Sequence, residues 1–307
     1  MINKILNTNT LTLCRALLAL GILLTLVCTD TSDLFPRDNM ENLSKHPSEI
    51  MKLNYFTWFR NISYAHFFSI IILLAVISGI YPKITCLLHA LVNFSVFNSM
   101  LIIEGGDQVS LVLSVLLIPI CIVDKRKNGW KTNSIVFYNK NSLLYINSGC
   151  ALLFIKIQIA LLYFNAGSAK IYAPEWPNGT AVYYWFNDNV FGAIPPIRYI
   201  FSFLFENKLT VSLINWGSII LEIFIFVAIF LKQEIKYLIF IPAILFHLTI
   251  IIVHGLPTFF IAMSAALILY LWRLDISITE NIVNIRTVIK LNYNRIKNSF
   301  TEYELSR

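Results

Sequence analysis

Lys170 follows the run Tyr163-Phe164-Asn165-Ala166-Gly167-Ser168-Ala169 at the end of an apolar segment, and Glu175, Trp176 and the stretch Asn178–Trp185 come directly after it. Partial removal from water favours the neutral amine of a lysine, the form that acts as base or nucleophile. The same residues also fit an interfacial lysine inside a belt of Trp and Tyr, and chemistry alone favours that plainer reading. A second cluster is Glu104-Gly105-Gly106-Asp107-Gln108, a tight turn between two apolar segments. Its glycines let the chain reverse, while two carboxylates and an amide reach the membrane surface, where they can hold a base or bind a peptide backbone. Lys170, Asp107 and His247 are the catalytic candidates. Gln108, Glu104, Glu175, Trp176, Tyr183 and Tyr184 are the substrate-binding candidates.

Other polar residues lie inside apolar segments, where they are costly and often functional. Arg15 and Lys156 sit where they can snorkel to the nearer interface. Glu222 lies deep in its segment, seven residues from Asn215 and so on the same face; it is expected either to be protonated and hydrogen-bonded or to pair with a buried base such as Lys156, Arg15 or a histidine. His89 and Asn93 share a face, as do His247 and His254. A histidine in a membrane more often makes an interhelical hydrogen bond than it catalyses. No His-Glu-x-x-His pattern or tight ligand spacing is present, so no metal site is expected.

These residues are positioned by an unusually apolar chain: 307 residues, 57% hydrophobic, 13% charged, with a mean hydropathy of +0.68. A soluble domain carries about a quarter charged residues. The apolar residues gather into runs close to bilayer length that do not alternate, which predicts helices rather than a barrel. The fold class is therefore an all-α polytopic membrane protein, with eight spans at about 11–28, 65–80, 84–103, 109–123, 143–166, 211–231, 237–253 and 257–272. The fourth and eighth are short, which calls for tilt, local thinning or burial within the bundle. A re-entrant hairpin formed by the third and fourth is the alternative.

The basic residues give this bundle a direction. One side holds Lys4, Lys83, Lys125, Arg126, Lys127, Lys131, Lys140, Lys232, Lys236, Arg273, Arg286, Lys290, Arg295, Lys297 and Arg307; the other holds Arg37, Lys45, Lys52, Arg60, Lys170, Arg198 and Lys208. The richer side is cytoplasmic, so both termini are inside. Positive charge concentrated at span ends explains the net +7 without a nucleic-acid partner. The outer loops are then 29–64 and 167–210, the second ordered by its prolines and aromatics. The transmembrane domain is 1–272. Residues 273–307 form a basic tail with Ile282, Ile285, Ile289, Ile296 and Phe300 on one helical face, suited to the anionic inner interface. Five cysteines without a Cys-x-x-Cys, and an N-terminus lacking a cleavage pattern, argue against a disulfide framework and a cleaved signal.

Several motifs together carry a family resemblance. Arg15–Gly21 with Leu34-Phe35, Tyr81-Pro82, Gly105-Gly106-Asp107-Gln108, Leu117-Ile118-Pro119, Asp124-Lys125-Arg126 and Asn178–Trp185 resemble the SdpB (sporulation-delaying protein B) family, over most of residues 11–272. The resemblance implies a bacterial cell-membrane protein of the HTTM superfamily. It also implies a role, with an SdpA-type small partner, in maturing a secreted SdpC-type antimicrobial peptide at the outer membrane face. The superfamily includes the membrane part of vitamin K-dependent γ-glutamyl carboxylase, in which a lysine after a Tyr-Phe-x-Ala-Gly-like stretch is a base. Lys170 holds the matching place, and His247 resembles a histidine of a late helix. The carboxylase's histidine-bearing segment has no counterpart around Asp107, and only a short tail follows the last span, so carboxylation and quinone use are not carried over and no cofactor is assigned. The remaining readings are a non-enzymatic scaffold or exporter for the toxin precursor, and an immunity-type membrane protein.

Overall fold

The computed structural model describes residues 2–36, 40, 49–59, 61–132 and 142–305. Arg37, Lys45, Arg60, Lys140 and Arg307 of the charge count lie outside these residues, and the side chain of Phe300 is not described. Among the described residues the secondary structure is helical, apart from one isolated bridge between Ile80 and Asn128. Eight helices occupy the expected span positions: α1 (Thr10–Cys28), α2 (Ile62–Ile77), α3 (Pro82–Ser99), α4 (Gly105–Ile122), α5 (Leu143–Tyr172), α8 (Lys208–Val227), α9 (Gln233–His254) and α10 (Pro257–Leu271). The loop 167–210 contains the intervening α6 (Ala181–Asn187) and α7 (Pro195–Phe205), and the tail forms α11 (Ile278–Leu305). The chain is an all-α polytopic membrane protein. Five helices are long and apolar enough to cross a bilayer: α1, α4, α5, α8 with its terminal 3-10 turn, and α9. α2 and α10 are apolar but shorter.

Local signals set the helix ends. Asn61, Ser142 and Asn207 accept backbone N–H groups at the starts of α2, α5 and α8, satisfying donors that no preceding turn can. Pro82, Pro195 and Pro257 open α3, α7 and α10, positions where the missing N–H costs nothing. Gly255 ends α9 in the left-handed region, at φ 66°, so that α10 can turn back two residues later.

The eighth span is short because it is internal. Every residue from Ala262 to Leu271 is buried, and α10 packs against α1, α4, α5 and α9. The expected third and fourth spans are two 18-residue helices packed side by side, each about 27 Å long. Their interface is polar: Asn93 Nδ2 donates to Ser110 O at 3.0 Å and lies 3.3 Å from His89 Nε2.

Two sequence boundaries shift, and both bear on the site. The Gly-Gly-Asp-Gln segment is the first turn of α4 rather than a free hairpin loop. α5 continues to Tyr172, past the expected end at 166, so Lys170 stands on a helix in its last turn. At the other end of the bundle, Arg126 is fixed by Asp124 at 2.7 Å and donates to Thr8 O at 2.7 Å and Gly129 O at 3.0 Å. This knot ties the 124–131 loop to the N-terminal segment.

Candidate functional site

α5 and α8 run antiparallel and approach closely at Gly167, where a Cβ would stand 3.0 Å from Ile223 Cδ1 and 3.5 Å from Glu222 Cβ. A larger residue would hold the helices apart. One turn later the lysine reaches across: Lys170 Nζ lies 2.6 Å from Glu222 Oε1 and 2.5 Å from Oε2. The side chains are 18% and 5% exposed, so a charge-assisted pair replaces most of the water each group loses. Trp176 covers the lysine, with Nζ 5.0 Å from the ring centroid, a cation–π contact. Asn215 holds that covering segment: its Nδ2 donates to Trp176 O at 2.6 Å, and its Oδ1 accepts from Val182 N at 3.4 Å. One face of α8 thus pins the loop and supplies the carboxylate.

The contact corrects the expected partners of Glu222, which were Lys156, Arg15 or a histidine. It also changes where Glu222 sits. Because Lys170 is in the last turn of α5, the residues of α8 before Glu222 extend beyond the level of the pair, by about 20 Å at 1.5 Å per residue. That overhang carries the α6–α7 cap, which is held by Phe186 stacked on Phe205 at 3.7 Å and by Arg198 donating to Ala193 O and Asp188 O, each at 2.5 Å.

Two turns back along α5, Tyr163 shares a buried hydrogen bond with His247 of α9, its hydroxyl 2.8 Å from Nε2. His247 Nδ1 is buried without a partner among the described residues. The imidazole stands edge-on to Phe259 at 5.6 Å. Phe259 in turn lines a cleft of about 480 Å³ between α4, α5 and α10, into which Gln108, Gln158 and Asn165 also face. Sequence reasoning singled out Gln108 but missed Gln158, whose spacing of seven from Asn165 on one helix was the available signal. Asn165 and Tyr163 were noted only as part of the run before Lys170, with no role of their own.

Asp107 and Glu104 have a local structural task. Glu104 N donates to Asp107 Oδ2 at 3.0 Å within a reciprocal capping box at the start of α4. Thr258 donates to Glu104 Oε1 at 2.5 Å, joining this start to that of α10. Burial pushes the Glu104 carboxyl above the usual range, opposed by the Thr258 bond. Gly106 permits the junction, since a Cβ there would meet Phe259 Cα at 2.9 Å. Among the described residues no hydrogen bond or ion pair joins Asp107 to Lys170, so the two catalytic candidates belong to different neighbourhoods.

The other candidates scatter. His254 Nδ1 lies 2.6 Å from Phe191 O and its ring stands edge-on to Trp185 at 6.2 Å, joining α9 to the cap. Glu175, Tyr183 and Tyr184 are exposed, the two tyrosines edge to face at 5.7 Å. Arg15 is buried and donates to Thr85 Oγ1 at 3.0 Å, and Lys156 is half-buried at the opposite end of the bundle from Lys170. No group of three or more metal-ligating residues occurs among the described residues.

Over 280 aligned residues, 89% of this chain and 84% of the relative, the sequence is 35% identical to the sporulation-delaying protein SdpB of Bacillus subtilis (strain 168). The chain belongs to the SdpB family. An uncharacterized protein of the same organism, YitO, is 34% identical over 278 residues, 88% of this chain and 87% of the relative. No protein-family model matches the chain, and no solved structure matches it. Matches of this length take in the segment from Glu104 to His254, so the SdpB-family likeness covers the α5–α8 pair, the cap and the cleft together.

Proposed function

We propose that this protein is a membrane component of a sporulation-delaying toxin system, in which it matures a secreted SdpC-type peptide at the outer membrane face together with an SdpA-type partner. The likeness to SdpB supports the toxin system. The observation that supports an active role is the Lys170–Glu222 pair, held beneath Trp176 and flanked by the amide-lined cleft. Transfer of a proton from Nζ to Oε across the 2.5–2.6 Å contact converts the ion pair into a neutral amine beside a carboxylic acid. One site then offers a base and an acid for cleavage or modification of a peptide. His247 and Tyr163 support α5 from below, and the exposed Tyr183, Tyr184 and Glu175 are a docking rim for the precursor.

Lys170→Ala tests this reading. Cells carrying the variant at wild-type membrane levels are expected to release no mature peptide by intact mass, and wild-type amounts would refute the active role. A scaffold reading draws on the fact that Lys170 and Glu222 satisfy each other within the fold. It predicts that mature peptide depends on a separately added protease, whereas the active reading predicts that purified protein with its partner suffices.

A further inference from the structure

At the end of the bundle carrying most of the basic residues lies a second cavity, of about 330 Å³, lined by Lys156, Gln233, Trp272, Arg273 and Asp275 among others. Its charges do not balance. Asp275 pairs with Arg273 at 2.8 Å and also acts electrostatically on Lys156, but Lys156 makes no hydrogen bond or ion pair with any described residue, although it is half-buried. Lys236, one turn beyond Gln233 on α9 and also half-buried, stands close enough to interact electrostatically with Lys156. Trp272 Nε1 is buried and has no acceptor among the described residues. Gln233 is already committed, donating to Leu271 O at 2.6 Å.

Lys156 and Lys236 are left to share a carboxylate already paired with Arg273; such an excess of cations at a membrane interface raises the energy of the bundle, and a single anion with several acceptor oxygens removes that cost. The surroundings specify which anion. The wall includes apolar Ile5, Leu152 and Leu274 beside the cations, and Trp272 closes the inner end of α10 as an interfacial aromatic does. We propose that this cavity holds the phosphate headgroup of an anionic phospholipid of the cytoplasmic leaflet, with Lys156 and Lys236 as its counter-charges. Basic pockets between membrane helices on that side are suited to such headgroups.

The test uses the full chain, purified in neutral detergent and examined by native mass spectrometry with phosphatidylglycerol or phosphatidylcholine added. Wild-type protein should bind phosphatidylglycerol at least about tenfold more tightly, and Lys156→Gln with Lys236→Gln should remove that preference, two lysines being worth about thirtyfold. Lys83→Gln, on α3 away from the cavity, should leave it intact. Thermal unfolding in phosphatidylcholine micelles identifies any variant that misfolds, and Lys236→Gln alone should then show a partial loss. Equal affinity for both lipids, or a preference surviving in the double variant, would overturn the proposal. So would displacement of phosphatidylglycerol by millimolar inorganic phosphate, which would mark a site for a soluble anion.

Discussion

Removing Lys170 and removing Glu222 should destabilise the bundle by different amounts, and the difference follows from their surroundings. Lys170→Ala leaves a carboxylate only 5% exposed without its counter-charge, and breaking a buried pair in this way costs about 3–5 kcal/mol. Glu222→Gln leaves an ammonium that is 18% exposed, still faces Trp176 and still has an amide oxygen to donate to. It should cost about 1–2 kcal/mol, near a lost charge-assisted hydrogen bond. Replacing both partners by apolar residues of similar shape, Lys170→Met with Glu222→Leu, should recover most of the loss, because neither charge must then be desolvated. The assay is denaturant unfolding of the purified protein in a fixed detergent, followed by tryptophan fluorescence. If the double variant is no more stable than Lys170→Ala, or the two single losses add without coupling, the residues are not the buried partners described above.

Other contacts give independent expectations. Tyr163→Phe removes the hydroxyl that shares a hydrogen bond with His247 Nε2 and should cost about 1–3 kcal/mol in the same assay; an unchanged midpoint would place His247 elsewhere. Gly167→Leu pushes against Ile223 and Glu222 and should both lower stability by about 1–3 kcal/mol and weaken the Lys170 contact, read as a smaller coupling in the Lys170–Glu222 cycle. Arg126→Lys should not rescue Arg126→Ala, because the guanidinium serves Asp124 and two carbonyls at once and an ammonium lacks that fork. Equal thermal midpoints for Arg126→Lys and wild type would contradict this.

Spans were legible because hydrophobicity is a property of each segment by itself, and the helix-opening prolines and Asn caps are local too. The length of α5 was not. Gly167 to Lys170 reads as the start of the outer loop, yet packing against α8 through Gly167 holds those residues in helix. The partner of Glu222 was hidden for a related reason. Counting along α8 put Glu222 at mid-span, and nothing local says that the first turns of α8 overhang α5 to carry the cap. Asp107 shows what spacing hides: an acid in a glycine turn invites a catalytic reading, and the capping task that Asp107 shares with Glu104, three residues earlier at the start of α4, was not weighed in it. The amide-lined cleft needs three helices to exist, and only the seven-residue spacing of Gln158 and Asn165 hinted at it.

The most direct test of an active Lys170–Glu222 site is the intact mass of the peptide released by cells carrying the Lys170→Met, Glu222→Leu protein, a variant expected to stay folded. The account predicts unprocessed precursor or no released peptide at wild-type membrane levels of the variant. Mature peptide of wild-type mass and amount would contradict it.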